Sequence, residues 1–320
     1  MLTRRDLLAA APAAAALVST AAAGTAALAQ DGATAPAGFT PFRFGVISDP
    51  QFAPVVPNAT ATRFYGNSLW KLDAAIAELN QHDDLEFVVT LGDIIDRHWE
   101  SYSHILPVYD RLKHRKHFLL GNHDYDYPPE WIPSVVRTVG MPAPHYDFAV
   151  KGIRFIVVDG NDVSTFAPPK DDPRRALAEE RLAKLKETGA ENAQSWNGSL
   201  SDEQFAWLDE RLKAAAGAGE RAILLCHYPV YPANEHNLWD SERIVELVKA
   251  HPHCLAWFNG HNHAGNYAAI GKQHFVNFRG MVDTPDQSCF AIVSVEADRI
   301  EIKGFGREED RVLELAAVPA

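Results

Sequence analysis

Cysteine is scarce in this chain of 320 residues, which contains only Cys226, Cys254 and Cys289. No two of them form the C-x-x-C pair of a redox or zinc motif, and their odd number leaves at least one thiol unpaired. A fold organised by disulfides is therefore not expected, even in an oxidising compartment. We expect all three thiols to be buried and reduced, with Cys226 packed in the core.

Positive charge is also in short supply. The chain has 30 lysines and arginines against 42 aspartates and glutamates, which gives a formal net charge of −12 at pH 7. A strongly acidic chain lacks the basic surface that attracts nucleic-acid phosphates, so we expect no nucleic-acid partner. A small anionic substrate remains compatible with this charge if bound cations supply a local positive field.

Long apolar runs are missing except at the N-terminus, so we expect no stable membrane association of the mature protein. At the N-terminus, Arg4 and Arg5 precede an alanine-rich stretch that ends in A-L-A at Ala27 to Ala29, which resembles a cleavage site. Paired arginines are typical of the twin-arginine signals that export folded proteins.

This N-terminal pattern predicts an export signal over residues 1–29 and a linker over residues 30–41. It also predicts an interaction with the twin-arginine export machinery and a periplasmic or secreted location. An uncleaved amphipathic helix or a membrane anchor is the alternative, but an alanine-rich stretch is only weakly hydrophobic for a stable span.

Five short polar blocks follow runs of strand-forming residues along the rest of the chain. They are D-P-Q at Asp49 to Gln51, G-D at Gly92-Asp93, G-N-H-D at Gly121 to Asp124, His227, and G-H-N-H at Gly260 to His263. Polar side chains at the exits of buried strands usually belong to one site. Carboxylate, amide and imidazole groups are ligands for divalent cations, and a pair of cations needs one carboxylate that bridges them. Asp93 is the candidate bridge.

Two of the blocks contain candidate ligands two positions apart. These pairs are Asp49 with Gln51 and His261 with His263. In an extended backbone, alternate side chains project to the same face, so we expect each pair to point at the metals.

The five blocks, in this order, resemble the calcineurin-like metallophosphoesterase superfamily. Gln51 stands where most members of that superfamily have histidine. This glutamine resembles the manganese-dependent ADP-ribose/CDP-alcohol diphosphatase branch. Further segments resemble the same branch: R-F-Y-G-N-S-L from Arg63, L-G-D-I-I-D from Leu91, N-G-S-L-S-D-E-Q from Asn197 and G-M-V-D-T-P-D from Gly280.

Strand and helix patterns alternate through the chain, which predicts an α/β protein. Predicted strands lie at 42–47, 85–91, 116–120, 145–150, 153–158, 221–226, 253–258, 266–270, 274–277, 288–295 and 299–304, and predicted helices at 66–81, 100–114, 172–187, 201–215 and 240–250. Several strands are apolar throughout, so helices should cover both sides of the sheets. We therefore expect a four-layer α/β/β/α sandwich of the metallophosphoesterase type, in a single domain over residues 42–320.

The resemblance implies two divalent cations that share Asp93. We expect one cation to be held by Asp49, Gln51, Asp93 and His263, and the other by Asp93, Asn122, His227 and His261. A glutamine oxygen is harder than imidazole and suits Mn²⁺ better than Zn²⁺, with Fe or Mg²⁺ as alternatives.

The resemblance also implies a hydrolase in which a hydroxide between the two cations attacks phosphorus in line with the leaving group. In this interpretation His123 protonates the leaving oxygen or stabilises charge in the transition state. Asp124 would orient His123 through its other ring nitrogen. The alternative for Asp124 is a turn residue that binds the backbone.

The branch implies nucleotide-type substrates such as ADP-ribose or CDP-alcohols, which need a surface for the base and polar groups for ribose and phosphate. The candidate base contacts are Phe52, Leu238 and Trp239; Asn67 and Arg97 are candidates for phosphate or ribose, and Cys289 marks a further candidate turn. A phosphomonoesterase or a cyclic nucleotide phosphodiesterase with the same metal pair is the alternative function. A metal- or nucleotide-binding protein without catalysis is a third.

Overall fold

Two six-stranded mixed sheets form the centre of the computed structural model, which describes residues 38–316. Its strands are β1 (Phe42–Ile47), β2 (Leu85–Leu91), β3 (Arg115–Leu119), β4 (Tyr146–Val150), β5 (Ile153–Val157), β6 (Arg221–Leu225), β7 (Cys254–Asn259), β8 (Asn266–Ile270), β9 (Gln273–Asn277), β10 (Cys289–Val295), β11 (Arg299–Gly306) and β12 (Arg311–Glu314). Its α-helices are α1 (Ser68–Leu79), α2 (Ser101–Tyr109), α3 (Val135–Thr138), α4 (Pro173–Glu187), α5 (Asp202–Gly217) and α6 (Ser241–Ala250).

The first sheet has the strand order β12-β11-β10-β1-β2-β3, and the second has the order β4-β5-β6-β7-β9-β8. In the first sheet β1, β2 and β3 are parallel, while β10 pairs antiparallel with β1. In the second, β5, β6, β7 and β9 are parallel. The parallel strands bring their carboxyl ends to one edge of each sheet.

The two sheets face each other across a hydrophobic core. Phe44 of β1 stacks on Phe87 of β2 with ring centroids 4.8 Å apart, and Phe155 of β5 packs edge-on against Phe87 at 5.0 Å. Aliphatic side chains from both sheets complete this core, including Val293 from β10 and Ile223 from β6. Edge-to-face and offset contacts between aromatic rings fix the distance between the sheets.

Helices cover the outer face of each sheet. Side chains of α1 and α2, such as Leu72 and Ile105, pack on the first sheet, and side chains of α5 and α6, such as Leu208 and Ile244, pack on the second. The predicted α/β/β/α sandwich is therefore confirmed. The described residues belong to one unit, Pro36–Ala320, whereas the predicted signal over residues 1–29 lies outside the described part of the chain.

The element boundaries differ from the predictions at a few places. The predicted helix over 100–114 ends at Tyr109, within one turn of Pro107, which has no N–H to donate and clashes with the preceding turn. The short strand β12 and the short helix α3 were not predicted, because four residues give too little periodicity to recognise. The helix α5 begins where predicted, after a cap in which Ser201 Oγ accepts a hydrogen bond from Gln204 N at 3.2 Å.

The expected state of the thiols is confirmed, since Cys226, Cys254 and Cys289 are all free and buried. Cys226 packs in the core between the second sheet and its helices, as predicted. Within residues 38–316, no helix combines the length and the apolar character needed to cross a bilayer.

Candidate active site

The five polar blocks meet at the carboxyl ends of the parallel strands. Asp93 forms a compact group with His227 and His261, and a second compact group with Asp49 and His263. Within each group the possible ligand atoms lie within 4.8 Å of one another, and all five side chains are buried. Each group offers the oxygen and nitrogen donors that a divalent cation takes. The two groups share one carboxylate, that of Asp93.

The two amide side chains predicted as ligands lie next to these groups. Gln51 Nε2 donates to Asp93 Oδ2 at 3.2 Å, and Asn122 Oδ1 lies 3.3 Å from His227 Nε2. Gln51 Oε1 is buried and has no hydrogen-bond partner. A buried oxygen without a partner is costly, and a bound cation would satisfy it. The residues present therefore fit a pair of cations at this site.

The backbone of four of these side chains lies in the left-handed region. Asp49 and Gln51 each have a φ of 47°, Asp93 has 49° and His261 has 70°. The extended backbone predicted for the two i, i+2 pairs is therefore wrong, because left-handed turns direct these side chains instead. Such a backbone costs an L residue about 1–3 kcal/mol and is found where a functional geometry is imposed by the surrounding structure.

Glycines allow the blocks to approach one another. A Cβ on Gly121 would lie 2.6 Å from His227 Nε2 and 2.7 Å from Asp93 N. Gly92, with a φ of +86°, needs the left-handed region and also lies against the His227 ring. The narrow space between the two sheets at this point has no room for side chains at either position.

His227 and His263 each have one ring nitrogen held by an oxygen outside the site. Leu91 O lies 2.8 Å from His227 Nδ1, and Asp283 Oδ1 lies 3.1 Å from His263 Nδ1. Both oxygens are acceptors, so each Nδ1 donates and each Nε2 is the ring nitrogen that would bind a cation. Nε2 of His227 lies 3.4 Å from Asp93, and Nε2 of His263 lies 3.4 Å from Asp49. Both Nε2 atoms are thus directed toward the site.

His261 is held in the opposite tautomer. Its Nε2 lies 2.9 Å from Asn197 Oδ1, while its Nδ1 lies 3.1 Å from His227 Nε2. The amide nitrogen of Asn197 donates to two backbone carbonyls, those of Asn192 and Glu235, which identifies Oδ1 as the acceptor. His261 Nδ1 is therefore the atom that presents a lone pair to the site.

Charge within the site is unevenly distributed. Burial opposes ionisation of Asp93, but the adjacent His227 and His123 hold its pKa well below the usual range of a carboxyl group. Burial also opposes protonation of His227, yet the Asp93 carboxylate raises the pKa of His227 to about 9. Burial and the neighbouring His227 lower the pKa of His261. Asp93 therefore remains an anion, and a bound cation would displace the His227 proton.

His123 begins a short 3-10 helix, His123–Tyr125. Its backbone N donates to Asp93 Oδ1 at 2.9 Å, which anchors this turn to the shared carboxylate. Its ring Nδ1 lies 3.0 Å from the carbonyl oxygen of Asp96 and 3.3 Å from the Asp96 carboxylate. The imidazole is one-third exposed, at 33%. His123 thus lies at the edge of the site with its orientation set by Asp96.

The predicted orienting role of Asp124 is wrong. Its buried carboxylate is used by the backbone and a tyrosine, and its hydrogen bonds in the described structure do not include the His123 ring. The donors are Ile94 N, Ile95 N, Gly121 N and Tyr102 OH. Asp124 therefore fixes the two loops that follow β2 and β3, which is the alternative stated for it.

Most of the predicted substrate contacts belong to the core. Phe52 is 3% exposed and packs with Ile47 and Leu72, and Leu238, Trp239 and Cys289 are also buried. These side chains already pack between strands and helices, and their contact with a substrate stays a prediction. Asn67 is half-buried, and its Nδ2 donates to Pro285 O at 2.7 Å.

Arg97, a predicted contact for phosphate or ribose, lies beside Asp96. Its guanidinium group contacts the Asp96 carboxylate, and its side chain is 40% exposed. Arg97 therefore places positive charge beside the Asp96–His123 pair, with part of the guanidinium group open to solvent.

Four residues near the site had no predicted role: Asp96, Asn197, His236 and Asp283. Asp96, Asn197 and Asp283 contact His123, His261 and His263 respectively, and the His236 ring lies 5.4 Å from the His261 ring. Asp96, Asn197 and Asp283 lie in segments already noted for their resemblance to the diphosphatase branch. Only folding brings each of them to its histidine.

We predict that Gly121→Ala weakens divalent-cation binding by about 10- to 100-fold, the loss typical when groups around metal ligands are displaced. The added methyl group would displace His227 Nε2, 2.6 Å away, and the backbone of Asp93. Isothermal titration calorimetry with Mn²⁺ measures the loss. Gly217→Ala is the matched control, because no atom lies within 4 Å of its new Cβ. Unchanged binding in Gly121→Ala would contradict the described geometry.

Comparison with known proteins gives the same result as the geometry. Residues 42–265 match the calcineurin-like phosphoesterase family. A human manganese-dependent ADP-ribose/CDP-alcohol diphosphatase is 28% identical, over 85% of this chain and 92% of its own length. The Arabidopsis thaliana protein of the same name is 25% identical, over 83% of this chain and 94% of its own.

A solved structure, a dimetal phosphatase from Danio rerio, shares the fold. Its TM-score is 0.77 at 24% identity, and the match covers 86% of this chain and 99% of that one. The family match extends over all five polar blocks. The chain therefore belongs to the calcineurin-like phosphoesterase family and is a metal-dependent phosphohydrolase.

Proposed function

We propose that this protein uses two divalent cations, chiefly Mn²⁺, to hydrolyse the phosphoanhydride bond of nucleoside diphosphate-linked compounds such as ADP-ribose and CDP-alcohols. The observation that carries the proposal is the pair of ligand groups that share Asp93, with the free oxygen of Gln51 beside them. The substrate class is supported by relatives named as diphosphatases, which match most of this chain and most of their own length.

In this proposal each cation has four protein ligands. The first would be held by Asp49, Gln51, Asp93 and His263, and the second by Asp93, Asn122, His227 and His261. When bound, two such cations supply a water of near-neutral pKa and neutralise charge on the phosphate. Two carboxylates and two amide oxygens make the donor set harder than a histidine-rich one, which favours Mn²⁺, Fe or Mg²⁺ over Zn²⁺.

His123 is the proposed proton donor to the leaving oxygen. The backbone carbonyl oxygen and the carboxylate of Asp96 both lie on the Nδ1 side of the ring, at 3.0 and 3.3 Å, so Nδ1 is the atom that donates to them. Nε2, on the side of the ring away from Asp96, is the atom that would donate a proton to the leaving oxygen. The exposed edge of this imidazole is open to a substrate, and the short link from its backbone N to Asp93 keeps it beside the reacting phosphate.

Two arginines support a substrate with two phosphates. Arg97 contacts Asp96 on the His123 side of the site, and Arg63 contacts Asp283 at 2.7 Å on the His263 side. Both guanidinium groups are partly exposed, at 40% and 29%. If the cation pair binds one phosphoryl group of a diphosphate, the second phosphoryl group still carries negative charge. An arginine is suited to bind that second group.

We predict that purified protein with Mn²⁺ hydrolyses ADP-ribose and a CDP-alcohol at least about tenfold more efficiently, in kcat/KM, than p-nitrophenyl phosphate or a cyclic nucleotide. Release of nucleoside monophosphate, followed by chromatography, measures the diphosphate reaction. Asp93→Asn is the control for the site and should lose at least about 10²-fold on every substrate. Faster hydrolysis of the monoester or of the cyclic nucleotide would contradict the substrate class.

We predict that His123→Ala lowers kcat for ADP-ribose by roughly 10²- to 10⁴-fold, because a general acid contributes about that much. Binding of Mn²⁺ should be unchanged, since the described contact of His123 with Asp93 is made by its backbone N. Stopped assays give kcat, and calorimetry gives the cation affinity. A substrate whose leaving group needs no proton, such as a p-nitrophenyl diester, should lose much less. An equal loss on both substrates would rule out a role in protonation.

We further propose that the enzyme acts outside the cytoplasm after export through the twin-arginine route. The proposal rests on Arg4-Arg5, the alanine-rich stretch and A-L-A at Ala27 to Ala29, all outside the described residues. Export of a folded protein would allow the cations to be loaded before translocation.

Replacing Arg4 and Arg5 by lysine should hold the full-length protein in the cytoplasm of a host with twin-arginine export, whereas the natural sequence yields a shorter periplasmic form. Cell fractionation and N-terminal sequencing distinguish the two. Lysines at the other arginine pair, Arg174-Arg175, are the matched control and leave export intact. Periplasmic protein from the Arg4/Arg5 variant would argue against this route.

A further inference from the structure

Lys71 is a lysine of α1 whose side chain is wholly buried, at 0% exposure. Its Nζ contacts four successive backbone carbonyl oxygens. These belong to Met281, Val282, Asp283 and Thr284, at 2.5, 3.1, 3.1 and 3.0 Å. A fully buried lysine is rare and needs such partners, because an unpaired buried ammonium group is very costly. The ammonium group of Lys71 is therefore surrounded by a ring of backbone carbonyl oxygens, as a bound monovalent cation would be.

The segment held by Lys71, residues 281–284, also contacts the first ligand block. Met281 N donates to Ser48 O at 2.9 Å, and Val282 N donates to Asp49 O at 2.9 Å. The carbonyls of this segment therefore face Lys71 while its first two amides support the backbone at Asp49. The same segment carries Asp283, whose carboxylate holds His263. Segment 281–284 thus contacts Asp49 through its backbone and His263 through a side chain.

The other candidate ligands have separate supports. The imidazole rings of His227 and His261 are held by Leu91 O and by Asn197, which lie outside segment 281–284. The backbone N of His261 is a link to the other group, since it donates to the Asp49 carboxylate at 3.2 Å. Asp49 and His263 belong to one of the two ligand groups, and His227 and His261 belong to the other. The contacts of Lys71 are therefore directed to one half of the site.

We propose that Lys71 is a positioning residue for the cation position formed by Asp49, Gln51, Asp93 and His263, and that it affects the second position much less, because the imidazole rings there have their own supports. The inference rests on the proposed two-cation function. Without the ammonium group, four carbonyl dipoles directed at one point would repel one another and lose their donor. Segment 281–284 would then shift and release both Asp49 and Asp283. Displacing groups that orient metal ligands lowers metal affinity, typically by about 10- to 100-fold.

The protonation of Lys71 is compatible with this role. Burial lowers the pKa of Lys71 to about 8, and the nearby Asp283 partly offsets that effect. The amine therefore keeps its proton at neutral pH and has three N–H donors for the carbonyl ring. Ser288 Oγ donates to the backbone carbonyl of Lys71 at 2.9 Å, which fixes this turn of α1 against the residues that follow segment 281–284.

The experiment is a Mn²⁺ titration of metal-free full-length protein by calorimetry, with the unaltered chain, Lys71→Met and Asn197→Ala side by side. Lys71→Met keeps an unbranched side chain one atom shorter and removes its charge and donors. We expect one equivalent to bind nearly as in the unaltered protein and the other to bind about 10- to 100-fold more weakly. Asn197→Ala releases His261 and should weaken the other equivalent. The double variant should then weaken both.

Leu212→Ala is the control for a general loss of stability. Leu212 is buried in α5, in the core on the outer face of the second sheet, and shares no contact cluster with Lys71. The Leu212→Ala variant should bind both equivalents of Mn²⁺ with the affinity of the unaltered protein. Lys71→Gln, which retains two N–H donors, is titrated as well. If Lys71→Met folds, Lys71→Gln should lose less affinity at the same cation position than Lys71→Met does. If Lys71→Met does not fold, Lys71→Gln takes its place and should itself show the selective loss at that position.

A measurement on the unaltered protein needs no variant to fold. Cation binding and the order of segment 281–284 are linked, so Mn²⁺ should slow hydrogen exchange at the amides of Met281 and Val282. Two equivalents of normal affinity in a folded Lys71 variant, or unchanged exchange at these amides, would overturn the inference. Fewer than two equivalents in the unaltered protein would instead contradict the proposed function.

Discussion

The site depends on one buried carboxylate that must be reached from both sheets. Asp93 follows β2 of the first sheet, and its neighbours His227 and His261 follow β6 and β7 of the second. The side chain belongs to both ligand groups, and its oxygens also accept hydrogen bonds from His123 N and Gln51 Nε2. Any shift between the sheets would separate these partners. The aromatic core between the sheets therefore determines the geometry of the site.

Local strain at the strand ends follows from this requirement. Four of the ligand side chains leave the strands through left-handed backbone, and Gly92 and Gly121 leave room for the His227 ring. Such a backbone is unfavourable by itself and persists only when many contacts impose it. The buried carboxylate of Asp124 supplies part of that constraint by binding the amides of Ile94, Ile95 and Gly121. The residue predicted to act on His123 thus supports the loops instead.

The sequence was sufficient to predict the layers and the side chains that converge. Long apolar strands and five polar blocks at their ends are local patterns, and each strand end carries its block to the same edge. The orientation of those side chains was not predictable in the same way. Asp49 and Gln51 satisfy the i, i+2 rule for a strand. However, Gln51 bonds to Asp93 through both its backbone N and its side-chain Nε2, and this pairing goes with left-handed turns that the rule does not include.

The sequence is ambiguous about the substrate contacts for a related reason. Phe52 and Leu238 are apolar residues beside polar blocks, and the same pattern describes a core residue and a wall of a pocket. Asp96, Asn197 and Asp283 act on histidines that are 27, 64 and 20 residues away in the chain, so only the folded structure connects them. Lys71 is a further example, since its role depends on carbonyls more than two hundred residues away.

The shared carboxylate is tested most directly by a crystal structure of the protein loaded with Mn²⁺, in which anomalous scattering locates each ion. Two peaks about 3.5–4 Å apart, both in contact with the Asp93 carboxylate, are the predicted result. One should also contact Asp49, Gln51 and His263, and the other Asn122, His227 and His261. A single peak, or two peaks of which only one contacts Asp93, would contradict the shared two-cation site.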